Sequence, residues 1–146
     1  MAVSFPSTEY FEALKGQMVA AQEHFSRLGF IDTTFGVSVA NNGKSHNYVL
    51  EFEVFELKNV SEVPAIDLKK VDFSIEGDGK VWREMIENIK RNGQADTGHD
   101  INTLAHFGEQ LKIHYDDPDG HDKLYRFMES IQEFFDLSSK LDVSFN

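Results

Sequence analysis

The sequence contains no cysteine. Disulfides, thiolate nucleophiles and cysteine-ligated zinc are therefore excluded together. Basic residues are few: 14 Lys and Arg stand against 25 Asp and Glu, for a net charge of −11. No basic run is longer than the pairs Lys69-Lys70 and Lys90-Arg91. Recognition of a phosphate backbone rests on cationic neutralisation, so nucleic acid is not an expected partner. Anionic membranes are disfavoured for the same reason. No apolar stretch approaches the roughly 20 residues that a membrane span requires, and stable insertion is not expected. MAVSFPSTEY lacks a basic region followed by an apolar run, so no secretory signal is expected and the cytoplasm is the expected location.

Aromatic residues, by contrast, are abundant. Thirteen Phe, four Tyr and one Trp lie among 146 residues. Each ring buries much area with few rotatable bonds. Such rings suit a packed interior and equally suit an apolar ligand cavity. The length fits one domain, residues 1–146, with a sizeable core. No internal repeat, low-complexity segment or linker interrupts it.

The hydrophobic period places the elements. Phe11, Leu14, Met18, Ala21, Phe25 and Leu28 recur at steps of three and four, which predicts one helix from Ser7 to Leu28. Ser7 or Thr8 caps it and Gly29 ends it. The period then changes to two. Phe35, Val37 and Val39, then Tyr48, Leu50, Phe52 and Val54, flank Asn42-Gly43, a hairpin signature. Asn59 to Ala65 reads as a loop or broken edge carrying Pro64. Val71, Phe73 and Ile75 form another strand. Val81, Trp82, Met85, Ile86 and Ile89 form a helix capped by Asp78 and ended by Gly93. Ile101, Leu104, Ala105 and Phe107 suggest a short helix after Asp100, and Leu111, Ile113 and Tyr115 a last strand. A long final helix carries Leu124, Phe127, Met128, Ile131, Phe134 and Phe135.

The stretch AHFGEQLKIHYDDPDGHDK holds His106, His114 and His121 among Asp116, Asp117, Asp119 and Asp122. Against an EF-hand template with Gly120 at the sixth position, the first ligand becomes Tyr115 and the bidentate Glu becomes Arg126. No zinc register fits either. The simpler reading is strand, turn and a helix start capped by Asp117 or Asp119, with no metal. Gly77-Asp78-Gly79-Lys80 is too short for a phosphate loop and reads as a turn. There is no Gly-x-Ser-x-Gly elbow. His24 and His106 lie on helical segments, where a lone histidine is more often structural. A proton-transfer site at Asp32, Asp72 or Asp100 stays open, since a carboxylate among aromatics has a raised pKa.

In this order, the elements resemble the sterol carrier protein-2 (SCP2) family. FEALK lies on the first helix; VDFSIEG and GDGKVWREMIENI match a strand and the helix it leads into. AHFGEQLKIHYDD resembles the family's short helix and Gly-x-Leu-Lys-Ile strand, on Phe107, Gly108, Leu111, Lys112 and Ile113. The chain departs from the family by one extra residue before Leu111, and by His114-Tyr115 where Gly-Asp is usual. Its end, VSFN, lacks the common peroxisomal signal, so no organelle import is expected.

The resemblance implies an α+β fold: a twisted, mainly antiparallel five-stranded sheet covered by helices, with an apolar cavity between them. A fatty-acyl, sterol or isoprenoid-like ligand would bind there, with no catalytic residues and no cofactor. By facing and type, the wall candidates are Trp82, Met85, Ile86, Phe107, Phe127, Met128, Ile131, Phe134 and Phe135. The same residues would pack any solid core. Two alternatives stand beside this reading. One is a small isomerase or dehydratase using a buried carboxylate or histidine. The other is a non-catalytic subunit that docks on a larger partner enzyme, for which adjacent Phe134 and Phe135 beside Leu137 suggest an exposed stripe. The oligomeric state stays open, a homodimer being one option.

Overall fold

The computed structural model describes residues 2–107 and 109–145; Gly108, part of the motif above, lies outside them. The chain runs β1 (Val3–Phe5), α1 (Thr8–Ala20), α2 (Gln22–Leu28), β2 (Thr33–Asn41), β3 (Lys44–Glu53) and β4 (Glu56–Val63). It continues through β5 (Phe73–Asp78), α3 (Gly79–Asn92), α4 (Ile101–His106) and β6 (Leu111–His114). It closes with α5 (Pro118–Arg126), α6 (Met128–Asp136), a 3-10 turn (Leu137–Lys140) and β7 (Val143–Phe145).

Five strands form one sheet in the order β4-β3-β2-β5-β6. Within it β5 runs parallel to β2, and every other pairing is antiparallel. The β2–β3 turn is Asn42-Gly43 at φ 54° and 79°, as the sequence predicts. Because side chains alternate along strands, the register puts Phe35, Val37, Leu50, Tyr48, Phe73 and Ile75 on one face. Helices cover that face: α3 packs on β2 and β5, and α1 on β4. Gly36, Ser38 and Asn47 point to the opposite face, where Ile66 of the β4–β5 connection lies against Gly36.

Several expectations are corrected. The first helix breaks at Ala21, whose φ of −105° and ψ of 23° turn the chain between α1 and α2. The final helix breaks likewise at Phe127, at φ −109° and ψ 13°. An unbroken three-and-four spacing survives both breaks because the two halves still bury their apolar faces against one core. Of the two readings of Asn59 to Ala65, the broken edge rather than the loop describes Asn59 to Val63: it completes β4, an edge strand, beyond a register shift opposite Glu51 and Phe52, and Pro64 follows directly. Asp78 precedes α3 but makes no side-chain cap. Asp117, not Asp119, caps α5, its carboxylate accepting from the Asp119 amide at 3.0 Å. The identical tripeptides Val3-Ser4-Phe5 and Val143-Ser144-Phe145 pair as a parallel two-stranded sheet that the hydrophobic period does not reveal. Three residues are too few for a period to show.

Candidate functional site

Between sheet and helices lies a layer made largely of rings. From the sheet, Phe52 stacks on Phe35 at 5.4 Å, and Phe35 on Phe73 at 4.9 Å. From α6, Phe134 meets Phe52 edge-on at 5.0 Å. Phe135 points elsewhere, to Trp82 at 5.7 Å and to Phe11 at 6.4 Å. Phe11 in turn leans on Tyr48 at 5.1 Å. These contacts correct the expectation of an exposed stripe at Phe134 and Phe135. Both are fully buried, because α6 is wedged between the sheet on one side and α1 and α3 on the others. Successive residues point about 100° apart on a helix, so a helix packed on several sides buries neighbours together.

The nine wall candidates divide by position. Trp82, Met85, Ile86, Ile131, Phe134 and Phe135 are wholly buried in the core. Phe127 and Met128, at the α5–α6 break, are half-buried and pack against it. Phe107, just past α4, is 71% exposed and stands apart. The six buried side chains present no surface to solvent. The cavity expected between sheet and helices is therefore filled by rings in this conformation.

The polar groups inside are neutral and satisfied. Tyr10 Oη lies 2.6 Å from Ser138 Oγ, and burial pushes the Tyr10 phenol far above its usual range. Burial, with Glu62 nearby, pushes Tyr48 up to about 12. Trp82 Nε1 donates to the Ser38 carbonyl at 3.2 Å. Among the described residues no buried side-chain nitrogen or oxygen lacks a partner.

A cleft of about 520 Å³ opens at the end of the sheet. Its walls include Thr33, Thr34, Glu51, Lys69, Lys70, Asp72, Asp116 and Lys123, and its apolar lining Phe52, Leu68 and Val71. Asp72 is fixed there, accepting from Thr33 Oγ1 at 2.8 Å and the Thr34 amide at 3.1 Å, with Lys123 Nζ at 3.5 Å. Phe52 belongs both to this cleft and to the ring layer. The sequence signal for the cleft is weak, since its residues come from four separate segments.

The carboxylates considered for proton transfer all have local duties outside the ring layer. Asp32 accepts from the Val54 amide, Asp72 ties β2 to α5, and Asp100 caps α4 through the Thr103 amide at 2.7 Å. Asp136 is the carboxyl that desolvation raises, held by Gln132 and the Ala95 amide at the edge of the core. The histidines are also spoken for. His114 Nε2 lies 2.7 Å from Glu76 Oε1, His121 stacks on Tyr115 at 4.0 Å, and Tyr125 Oη lies 3.0 Å from His106 Nε2. Among the described residues no three His, Asp or Glu side chains converge on a metal-sized point. Among the same residues, no helix is long and apolar enough to cross a membrane.

No protein-family model matches the chain, and no curated protein matches its sequence. Solved structures do match. The crystal structure of sterol carrier protein 2 aligns at a TM-score of 0.67 over 92% of this chain and 97% of that one, at 14% identity. The solution structure of a conserved hypothetical protein from Thermus thermophilus, described with sterol carrier protein as its suggested identity, aligns at 0.71 over 94% and 90%, at 14% identity. A UbiJ-SCP2 ubiquinone synthesis protein aligns at 0.50 over 91% and 88%, at 16% identity. The chain thus has the SCP2-like α+β fold in a divergent sequence.

Proposed function

We propose that this protein binds and carries one hydrophobic small molecule of fatty-acyl, sterol or isoprenoid-like character between its sheet and helices, without chemistry of its own. The observation that carries the reading is the ring layer: a continuous apolar stratum from Phe73 to Trp82, in the SCP2-like fold. Binding would displace Phe52 and Phe134 and open the layer toward the 520 Å³ cleft, which holds the ligand's polar end. Phe127 and Met128 sit at the α5–α6 break, where a small rotation of α6 widens the same space. The driving force is apolar area removed from water, about 25 cal/mol per Å². The assignment of no catalysis rests on the neutral polar groups of the layer, Tyr10 paired with Ser138 and Trp82 with the Ser38 carbonyl, and on the local duties of Asp32, Asp72 and Asp100.

Trp82 is the single tryptophan and lies inside the layer, which makes it a built-in donor for energy transfer. Titration with dehydroergosterol and with cis-parinaric acid should give saturable, one-to-one quenching of Trp82 by at least one of them. Phe52→Asp should abolish it in a protein that still unfolds cooperatively. Failure of both probes to quench, together with a thermal midpoint unchanged by a mixed lipid extract, would sink the reading.

A further inference from the structure

The β3–β4 hairpin turns through Val54 and Phe55. Val54 has φ 62°, a left-handed conformation that a β-branched side chain rarely tolerates. At the other hairpin the left-handed positions are taken by Asn42 and Gly43, residues that adopt them readily. The strained turn is held firmly: the Ile31 amide donates to the Val54 carbonyl at 2.7 Å, and the Val54 amide donates to Asp32 Oδ1 at 3.0 Å. Its effect is to present apolar surface. Phe30 is 62% exposed and stacks on Phe55 at 5.3 Å, 8° from parallel, while Val54 is 41% exposed beside them. A groove of about 240 Å³ runs along the knob, lined by Gln22, Glu53, Val54, Phe55, Glu56 and Lys58. It carries two carboxylates, Glu53 and Glu56, against one ammonium, Lys58, and the Asp32 carboxylate that accepts from the Val54 amide adds a third acid at the turn.

We infer that Phe30, Val54 and Phe55 form a rigid docking knob for a protein partner. The receiving surface is an apolar pocket bordered by Lys or Arg, one of which enters the groove between Glu53 and Glu56. Rigid aromatic anchors flanked by charge are what concentrate binding energy at protein interfaces. The acidic rim disfavours an anionic membrane and a second copy of this strongly acidic chain, since both would bring like charge to the knob. Asp32 and Glu53 also line the 520 Å³ cleft, so a partner seated on the knob lies at the cleft's rim. The inference stands whether or not the ring layer takes a ligand.

The test has two steps. A photo-crosslinking p-benzoylphenylalanine at exposed Gln22, in cells of the native source, captures what docks there. The captured protein is then purified and its affinity measured with the unmodified chain, Phe30→Ser, Glu56→Gln and Val54→Gly. The expected results are a crosslink on an apolar pocket with neighbouring Lys or Arg, and about tenfold or greater weakening by Phe30→Ser. Glu56→Gln should weaken binding several-fold and flatten its salt dependence, as expected of a charged rim. Val54→Gly should weaken binding while raising the thermal midpoint of the isolated chain, a pairing that mere misfolding cannot produce. An adduct with another copy of this chain, an affinity indifferent to Phe30→Ser, or no protein adduct at all would overturn the inference. Flotation with phosphatidylcholine vesicles that depends on Phe30 would overturn it in favour of a lipid surface.

Discussion

Two carboxyl groups separate the forces at work on single residues, and they do so with opposite sign. Asp136 has its pKa raised, first by desolvation, so folding favours its protonated form. Stability from that shift is present at low pH and is lost as pH rises through the folded pKa. Asp136→Asn keeps an oxygen to accept from Ala95 and Gln132, and should stabilise the protein at pH 7 but not at pH 3. Asp96 is lowered from 3.8 to about 2, chiefly by hydrogen bonds from His99 and Asn88. Its stability is present above the unfolded value and lost as pH falls from about 4 toward 2, so Asp96→Asn should destabilise at pH 7 and cease to matter near pH 2. Urea midpoints for both variants across that range check the pair. Val54→Gly should add on the order of 1 kcal/mol, relief of φ strain exceeding the extra entropy of glycine. The amide hydrogen bond between Val54 and Asp32 remains available to the variant.

At the scale of elements, α5 lies in very close contact with the segment that leads into β5. A Cβ on Gly120 would stand 2.2 Å from the Asp72 carbonyl oxygen, a backbone atom that cannot swing aside. Gly120→Ala should therefore cost about 3 kcal/mol or more, or push α5 off the sheet, as overpacking does in a filled interior. Asp117→Ala should cost about 1 kcal/mol by removing the α5 cap, whereas Asp119→Asn should be nearly neutral. Thermal denaturation of the three variants ranks them. The existence of most of these elements was legible in the sequence, because the period shifts from 3.6 to 2 and back. The breaks at Ala21 and Phe127 were not, since neither site has glycine or proline and the apolar spacing runs through both. The short terminal strands were hidden for the opposite reason: three residues carry no period, and only their identity, Val-Ser-Phe at both ends, hints at pairing. Of the wall candidates, six on helix faces are buried in the core, whereas Phe107 is exposed because α4 ends at His106 and the next residue leaves the helical spiral.

For the whole molecule, the acidic surface and the ring-filled interior are separate features. Net charge of −11 restricts what the surface can meet; the layer from Phe73 to Trp82 restricts what the interior can hold. On the proposed carrier reading the closed packing couples ligand uptake to movement of α6, so a bound apolar molecule should change amide exchange at the α5–α6 break around Phe127 and around Phe52 on β3, while leaving the edge strand β6 unchanged. Native mass spectrometry decides whether the chain is a carrier. The protein is purified from its own source without detergent, and incubated with a lipid extract of that source if it arrives empty. A carrier should hold one apolar molecule per chain, released by organic solvent and absent from the Phe52→Asp variant. A chain that keeps its bare mass throughout, with its fold intact, would refute carriage.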